Sequence, residues 1–185
     1  MIYVSKNELF KAYKSCLKNK RSSNSAILFD VNESFLLEKL YIELNTKTYK
    51  IQKSILFSLF DENKKPKKEV FAADFTDRIV HHLLINRIID RLEKNYWISD
   101  SYSCRIGKGT LFGAKRLKEQ LNLASNNGEK ENLFIMKLDL KNCFNTLNKN
   151  MIYNVFDKFL DIFPDKNNEY NKWLIHKILY HNPPK

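Results

Sequence analysis

The chain has 185 residues, 43% of them hydrophobic, with 32 Lys and Arg against 21 Asp and Glu and a net charge of +11. A chain of that size buries a real core in one or two domains, and its positive excess points to a polyanion, nucleic acid before anionic membrane. Three cysteines without short spacing and four scattered histidines give no disulfide framework or zinc site, and no signal segment or membrane-length apolar run is present, so a soluble, reducing, cytoplasmic setting is expected. The plainer reading of the charge is a solvated basic surface.

Ser5-Lys-Asn-Glu8 reads as a capping box, and Leu9, Phe10, Tyr13, Cys16 and Leu17 form one apolar stripe behind it, which predicts a helix. A polar break over 21–25 leads to a second helix over 33–44. The period then changes: 49–59 and 68–75 read as strands joined by the Lys-rich tip Asp61-Glu-Asn-Lys-Lys-Pro-Lys-Lys68. Thr76 is expected to cap a helix running to Glu93, with Ile79, Val80, Leu83, Leu84, Ile88 and Leu92 at helical spacing. The glycines of Arg105-Ile-Gly-Lys-Gly-Thr110 precede a helix carrying Leu111, Ala114, Leu117 and Leu121, and a polar turn over 124–131 follows. The apolar run from Leu133 to Asp139 predicts a buried strand. Two amphipathic helices come last, one on Met151, Ile152, Val155, Phe156 and Phe159, the other on Trp173, Leu174, Ile178 and Leu179. Helices and strands without regular βαβ alternation make the class α+β.

Four features invite chemistry. Asp139, at the end of an apolar strand, is placed to hold a Mg²⁺ ion, which takes hard oxygen donors; the plainer reading is that it ends the strand and caps a turn. Lys64, Lys65, Lys67 and Lys68 put four cations on a projecting tip, fit to close over a triphosphate or a nucleic-acid backbone, or merely to keep a strand edge soluble. Gly107-Lys108-Gly109 precedes a helix start, where backbone N–H groups attract phosphate, although the order is not that of a nucleotide P-loop and a glycine-permitted turn suffices to explain it. Asp77 and Arg78 form either a local salt bridge or, through Arg78, a second cation facing the hairpin. His81 and His82 read as packing or surface residues.

Taken together, three segments resemble the motifs of bacterial reverse transcriptases in content, order and spacing. Lys67-Lys-Glu-Val-Phe-Ala-Ala-Asp-Phe-Thr-Asp-Arg-Ile-Val-His-His-Leu-Leu84 resembles their first fingers motif and Ser101-Tyr-Ser-Cys-Arg-Ile-Gly-Lys-Gly-Thr110 their second. Met136-Lys-Leu-Asp-Leu-Lys-Asn-Cys-Phe144 resembles the first palm motif. The wording is most similar to the enzymes of diversity-generating retroelements, and the likeness covers roughly 45–182.

The resemblance implies right-hand polymerase fingers with a basic β-hairpin over 46–132, following an N-terminal helical extension over 1–45. The first strand and helices of an incomplete palm would occupy 133–185. The implied activity is RNA-directed DNA synthesis, adding deoxynucleotides to a primer by two-metal phosphoryl transfer. Asp139 matches the first Mg²⁺-binding aspartate, the Leu140 carbonyl a second ligand, and Phe144 the ring beneath the nucleotide sugar. Lys68 and Arg78 match cations near the triphosphate, while Arg105 and Lys108 lie in the loop lining the template side. The implied partners are an RNA template, a DNA or RNA primer, deoxynucleoside triphosphates and an accessory protein, with no membrane.

Departures narrow this expectation. The family's aromatic-x-Asp-Asp turn does not occur in the sequence, and one aspartate does not hold two metal ions. Asp157, Asp161 and Asp165 stand in helical or proline-containing contexts and take no catalytic role. Cys143 occupies a position where a second aromatic is common, and Asn145-Thr146 replaces a small-residue turn. The chain therefore reads as the N-terminal portion of such an enzyme, inactive by itself, with Trp173, Leu174 and Ile178 partly exposed or covered by dimerisation. The alternative is a non-catalytic nucleic-acid-binding or assembly protein that keeps a fingers fold.

Overall fold

The capping box forms as its sequence predicts. The Ser5 hydroxyl accepts from the Glu8 amide at 3.2 Å, and the Glu8 carboxylate accepts from the Ser5 amide at 2.9 Å. Behind it, helix α1 (Lys6–Leu17) buries Leu9, Ala12, Tyr13, Cys16 and Leu17. The structure, a computed structural model, describes residues 2–18, 21, 23–60, 62, 66–130, 132–141 and 143–182, with the backbone alone for 66–69, 144 and 145.

Two helices follow where the sequence predicts one: α2 (Asn24–Val31) and α3 (Glu33–Asn45). Ala26 to Phe29 are apolar in succession, so no 3.6-residue stripe marks α2. Tertiary packing makes it, with Phe29 5.5 Å from the Tyr13 ring and 5.3 Å from Phe75. Strands β1 (Ile55–Phe60) and β2 (Pro66–Ala72) form an antiparallel hairpin. Ile55 lies opposite Ala72 and Leu59 opposite Lys68, and a register shift follows between Leu59 and Phe60.

The first strand starts later than expected because the residues before it are tied elsewhere. Tyr49 is buried and donates its hydroxyl to Asp77, and the Gln52 amide donates to both Asp77 oxygens at 3.0 and 3.2 Å. Helix α4 (Phe75–Asn95) is capped by Asp74 rather than Thr76: the Asp74 carboxylate accepts from the Thr76 amide at 2.8 Å. Helix α5 (Thr110–Ala124) opens at the expected residue, and the turn after it carries Asn126, Asn127 and Gly128 at positive φ. A single turn, α6 (Cys143–Thr146), precedes α7 (Lys149–Ile162) and α8 (Asn168–Leu179).

The strand expected to end at Asp139 does not form. Residues 132–140 are irregular and exposed, with Phe134 98% and Leu138 78% accessible. A strand needs a ladder partner, and among the described residues β1 and β2 pair only with each other. Leu174, expected to be partly exposed, is instead fully buried.

The chain divides into two compact units, Met1–Asp90 with Asn148–Lys185, and Arg91–Leu147. In the first, Arg87 joins three elements with a side chain 8% exposed. It donates to Glu8 at 3.1 Å, to Asn171 Oδ1 at 3.0 Å and to the Tyr3 carbonyl at 2.6 Å. Tyr170 stacks on Tyr3 at 4.7 Å and donates its hydroxyl to the Leu44 carbonyl at 2.9 Å. The protein is thus α+β and mostly helical, and no helix among the described residues is long and apolar enough to cross a membrane.

Candidate functional site

The hairpin and the start of α4 carry the first group of expected site residues. Lys64 and Lys65 lie outside the described residues, and Lys67 and Lys68 fall in β2, where the backbone alone is described. Arg78 is half-buried, and its Nε donates to the Ala73 carbonyl at 3.0 Å. Asp77 turns away into the core, where burial pushes its carboxyl above the usual range against the lowering effect of Tyr49 and Gln52. The adjacent pair has separate jobs: Asp77 anchors 49–52, and Arg78 braces the bend into the helix. Burial also holds the His81 imidazole below its ordinary value, helped by His82 and Arg78. His81 lines an apolar cavity of about 220 Å³ with Ile85, Ile152, Phe156 and Ile178.

The second group sits in the loop between α4 and α5. Arg105 is a buried clamp: its side chain is 6% exposed and all three guanidinium nitrogens donate inside the unit. Nε reaches both Glu93 oxygens at 3.0 and 3.1 Å, and Nη2 reaches Glu93 Oε2 at 2.6 Å. Nη1 reaches the carbonyls of Ile98 and Ser101 at 2.7 and 2.9 Å. The guanidinium also lies 5.3 Å from the Trp97 ring centre. Hydrogen bonding to Arg105 holds the Glu93 carboxyl below the usual carboxylate range.

Lys108 donates to the Ser99 carbonyl at 2.5 Å and stands 5.6 Å over the Phe112 ring. Gly107 and Gly109 adopt φ of +74° and +153°, which favour glycine, and the space beside each Cα is open. Further along, Asp100 accepts from Arg116 at 3.0 Å and from the Tyr102 hydroxyl at 2.9 Å. A Cβ at Gly113 would stand 2.9 Å from the Tyr102 ring, so glycine there lets the ring lie against α5. Tyr102, Cys104, Gly109, Gly113, Leu117 and Gln120 line a groove of about 830 Å³.

The third group is the Asp139 segment. Asp139 and Leu140 are exposed on irregular chain, and Phe144 falls in α6, where its side chain is not described. Among the described residues no group of three or more His, Cys, Asp or Glu is placed to hold a metal ion. One carboxylate and one carbonyl do not fit a pair of Mg²⁺ ions. Asp157 and Asp161 both accept from Lys172, at 2.8 and 2.7 Å, which gives them a structural role between α7 and α8.

Arg105 and Lys108 therefore share one loop of the second unit, with Asp139 in the same unit, whereas Lys68 and Arg78 belong to the first. No protein-family model matches the chain, and no curated protein matches it. Sequence reasoning misses Glu93, Trp97 and Arg87. Glu93 and Arg105 are twelve positions apart with no shared period, and only the return of the loop onto α4 pairs them.

Proposed function

We propose that the chain supplies the fingers and the beginning of the palm of an RNA-directed DNA polymerase, working in the cytoplasm on an RNA template and a primer. The observation that carries this reading is the run of three motif-like segments, 67–84, 101–110 and 136–144, in the family's order and spacing. A hairpin bearing lysines, a long helix with Arg78 in its first turn and a glycine-flanked Lys108 are compatible with that order. Phosphoryl transfer depends chiefly on charge placed around an in-line displacement, and a cationic fingers region serves that need. In this reading Lys68 and Arg78 attend the triphosphate and Phe144 lies beneath the sugar. Asp139 and the Leu140 carbonyl contribute one part of a Mg²⁺ site.

The reading predicts an aromatic-x-Asp-Asp turn in the reading frame beyond Lys185, within about a hundred residues on the family's spacing. In a protein carrying that turn, Asp139→Asn should abolish primer extension and leave template binding nearly unchanged. A frame without the turn, or extension that survives the substitution, sinks the polymerase assignment.

A second reading is favoured by Asp139 being exposed and, among the described residues, not grouped with other metal-ligating side chains: a nucleic-acid-binding or assembly protein without catalysis. Salt separates its two forms. Phosphate binding weakens steeply with added salt, whereas apolar assembly does not.

A further inference from the structure

The loop over 97–109 contains two cations of the second fingers-like motif, and the structure treats them differently. Arg105 is withdrawn from solvent, and all three of its guanidinium nitrogens donate to Glu93 or to two carbonyls of its own loop. A guanidinium so enclosed meets a phosphate only by breaking a bidentate, charge-assisted pair. Lys108 is half-buried and spends one N–H on Ser99, flanked by glycines beside which the space is open.

The clamp also has a mechanical effect. Arg105 ties Ile98 and Ser101 to Glu93 in the last turns of α4, and the Arg105 carbonyl accepts from the Lys108 amide at 3.3 Å. The position of Lys108 is thereby fixed from both ends of the loop.

We propose that Lys108 and the backbone of Gly107 and Gly109 contact the phosphates of a single-stranded nucleic acid, and that Glu93 and Arg105 are positioning residues which hold that contact in place without touching it. The inference rests on the nucleic-acid-binding part of the proposed function and refines it by taking Arg105 out of the contact.

Charge gives the test its sign. The chain is already at +11, so Glu93→Ala makes it more positive, and on charge alone that change tightens binding to a polyanion. It also releases Arg105 toward solvent. The positioning role demands the opposite, a weakening of about tenfold, equivalent to about 1.4 kcal/mol.

The measurement is fluorescence anisotropy of a labelled single-stranded RNA oligonucleotide with the full chain across a salt series. Each directly bound phosphate contributes about 0.7 to the slope of log affinity against log salt for a single strand. Lys108→Gln should lower the slope by about that amount. Arg105→Lys, which keeps the charge but not the fork, should weaken binding as much as Arg105→Gln does, with the wild-type slope in both. The Glu93→Ala and Arg105→Gln effects should not add when combined. Thermal unfolding of each variant alongside shows whether the fold has been kept.

If Glu93→Ala binds as tightly as the wild type or tighter, or if Arg105→Gln lowers the slope as Lys108→Gln does, the positioning role is wrong while the broader reading stands. A wild-type chain that binds no oligonucleotide overturns both.

Discussion

The two units of this protein are held together by different physics. Every fully buried apolar side chain among the described residues lies in the first, from Val4 and Leu9 through Ile79 and Leu83 to Phe159 and Leu174. In the second, α5 buries no residue, the buried described side chains are polar, Arg105 and Ser125, and Leu117, Leu123, Ile135 and Leu138 face solvent. Its order comes from polar clamps, Glu93 with Arg105 and Asp100 with Arg116. Apolar burial sets global stability and exposed ion pairs contribute little, so the first unit should dominate unfolding while the second tolerates change. Two of the three segments that give the chain its functional expectation, 101–110 and 136–144, lie in the second unit, whereas 67–84 runs into the core of the first.

The sharpest way to test that contrast is Arg87→Ala. It leaves Asn171 buried without its donor, Glu8 without its cation and the Tyr3 carbonyl unbonded, and should cost about 3 kcal/mol in denaturant unfolding. Asp77→Ala comes next, at about 2 kcal/mol, because the Tyr49 hydroxyl and the Gln52 amide lose their acceptor inside the fold. Asp77 also sets a pH dependence. Its folded carboxyl titrates above the unfolded value, so the native state keeps a proton that the unfolded chain has released. Its contribution to stability therefore falls as pH rises from the ordinary carboxylate value through the raised one. Asp77→Asn removes that titration, and its stability relative to wild type should improve as pH rises across that window. A difference that stays flat with pH would show that Asp77 does not titrate there.

Hydrogen exchange should divide the units at residue level. Amides over 133–140 should exchange at nearly unprotected rates, while those of Ile79 to Ile88 in α4 wait for global unfolding. The smallest effect belongs to Leu138→Ser, which should move the unfolding midpoint by less than about 0.5 kcal/mol. A loss several times larger would mean that the apolar run is buried in solution.

Local chemistry was well written in the sequence, and long-range chemistry was not. The Ser5 capping box, the helix start at Thr110 and the turn near Gly128 depend on neighbours within a few residues, and all three form. Helix α2 was hidden because its apolar residues run consecutively, and β1 began late because Asp77, far along the chain, holds Tyr49 and Gln52. At the site, the residue types of the Arg105–Thr110 loop were legible, but their division of labour was not. Arg105 and Lys108 look equivalent as letters, and it is the fold that gives Arg105 the hydrogen bonds of Glu93 and two loop carbonyls while Lys108 bonds Ser99. The apolar run before Asp139 promised a strand, a promise that depends on a neighbouring strand the described residues do not provide.

Asn45 receives the amides of Tyr3 and Val4 at 2.7 and 3.0 Å and returns a bond to the Val4 carbonyl at 3.0 Å, while Arg87 holds the Tyr3 carbonyl. The first helices are therefore stitched into the body through α3, α4 and α8, and are no appendage. A shortened version starting at Ser5 would remove the thread from both knots at once. Trimming the N-terminus to isolate a minimal fingers module should yield an unfolded or aggregating product, and an affinity handle belongs upstream of Tyr3 on a spacer long enough to leave both knots tied.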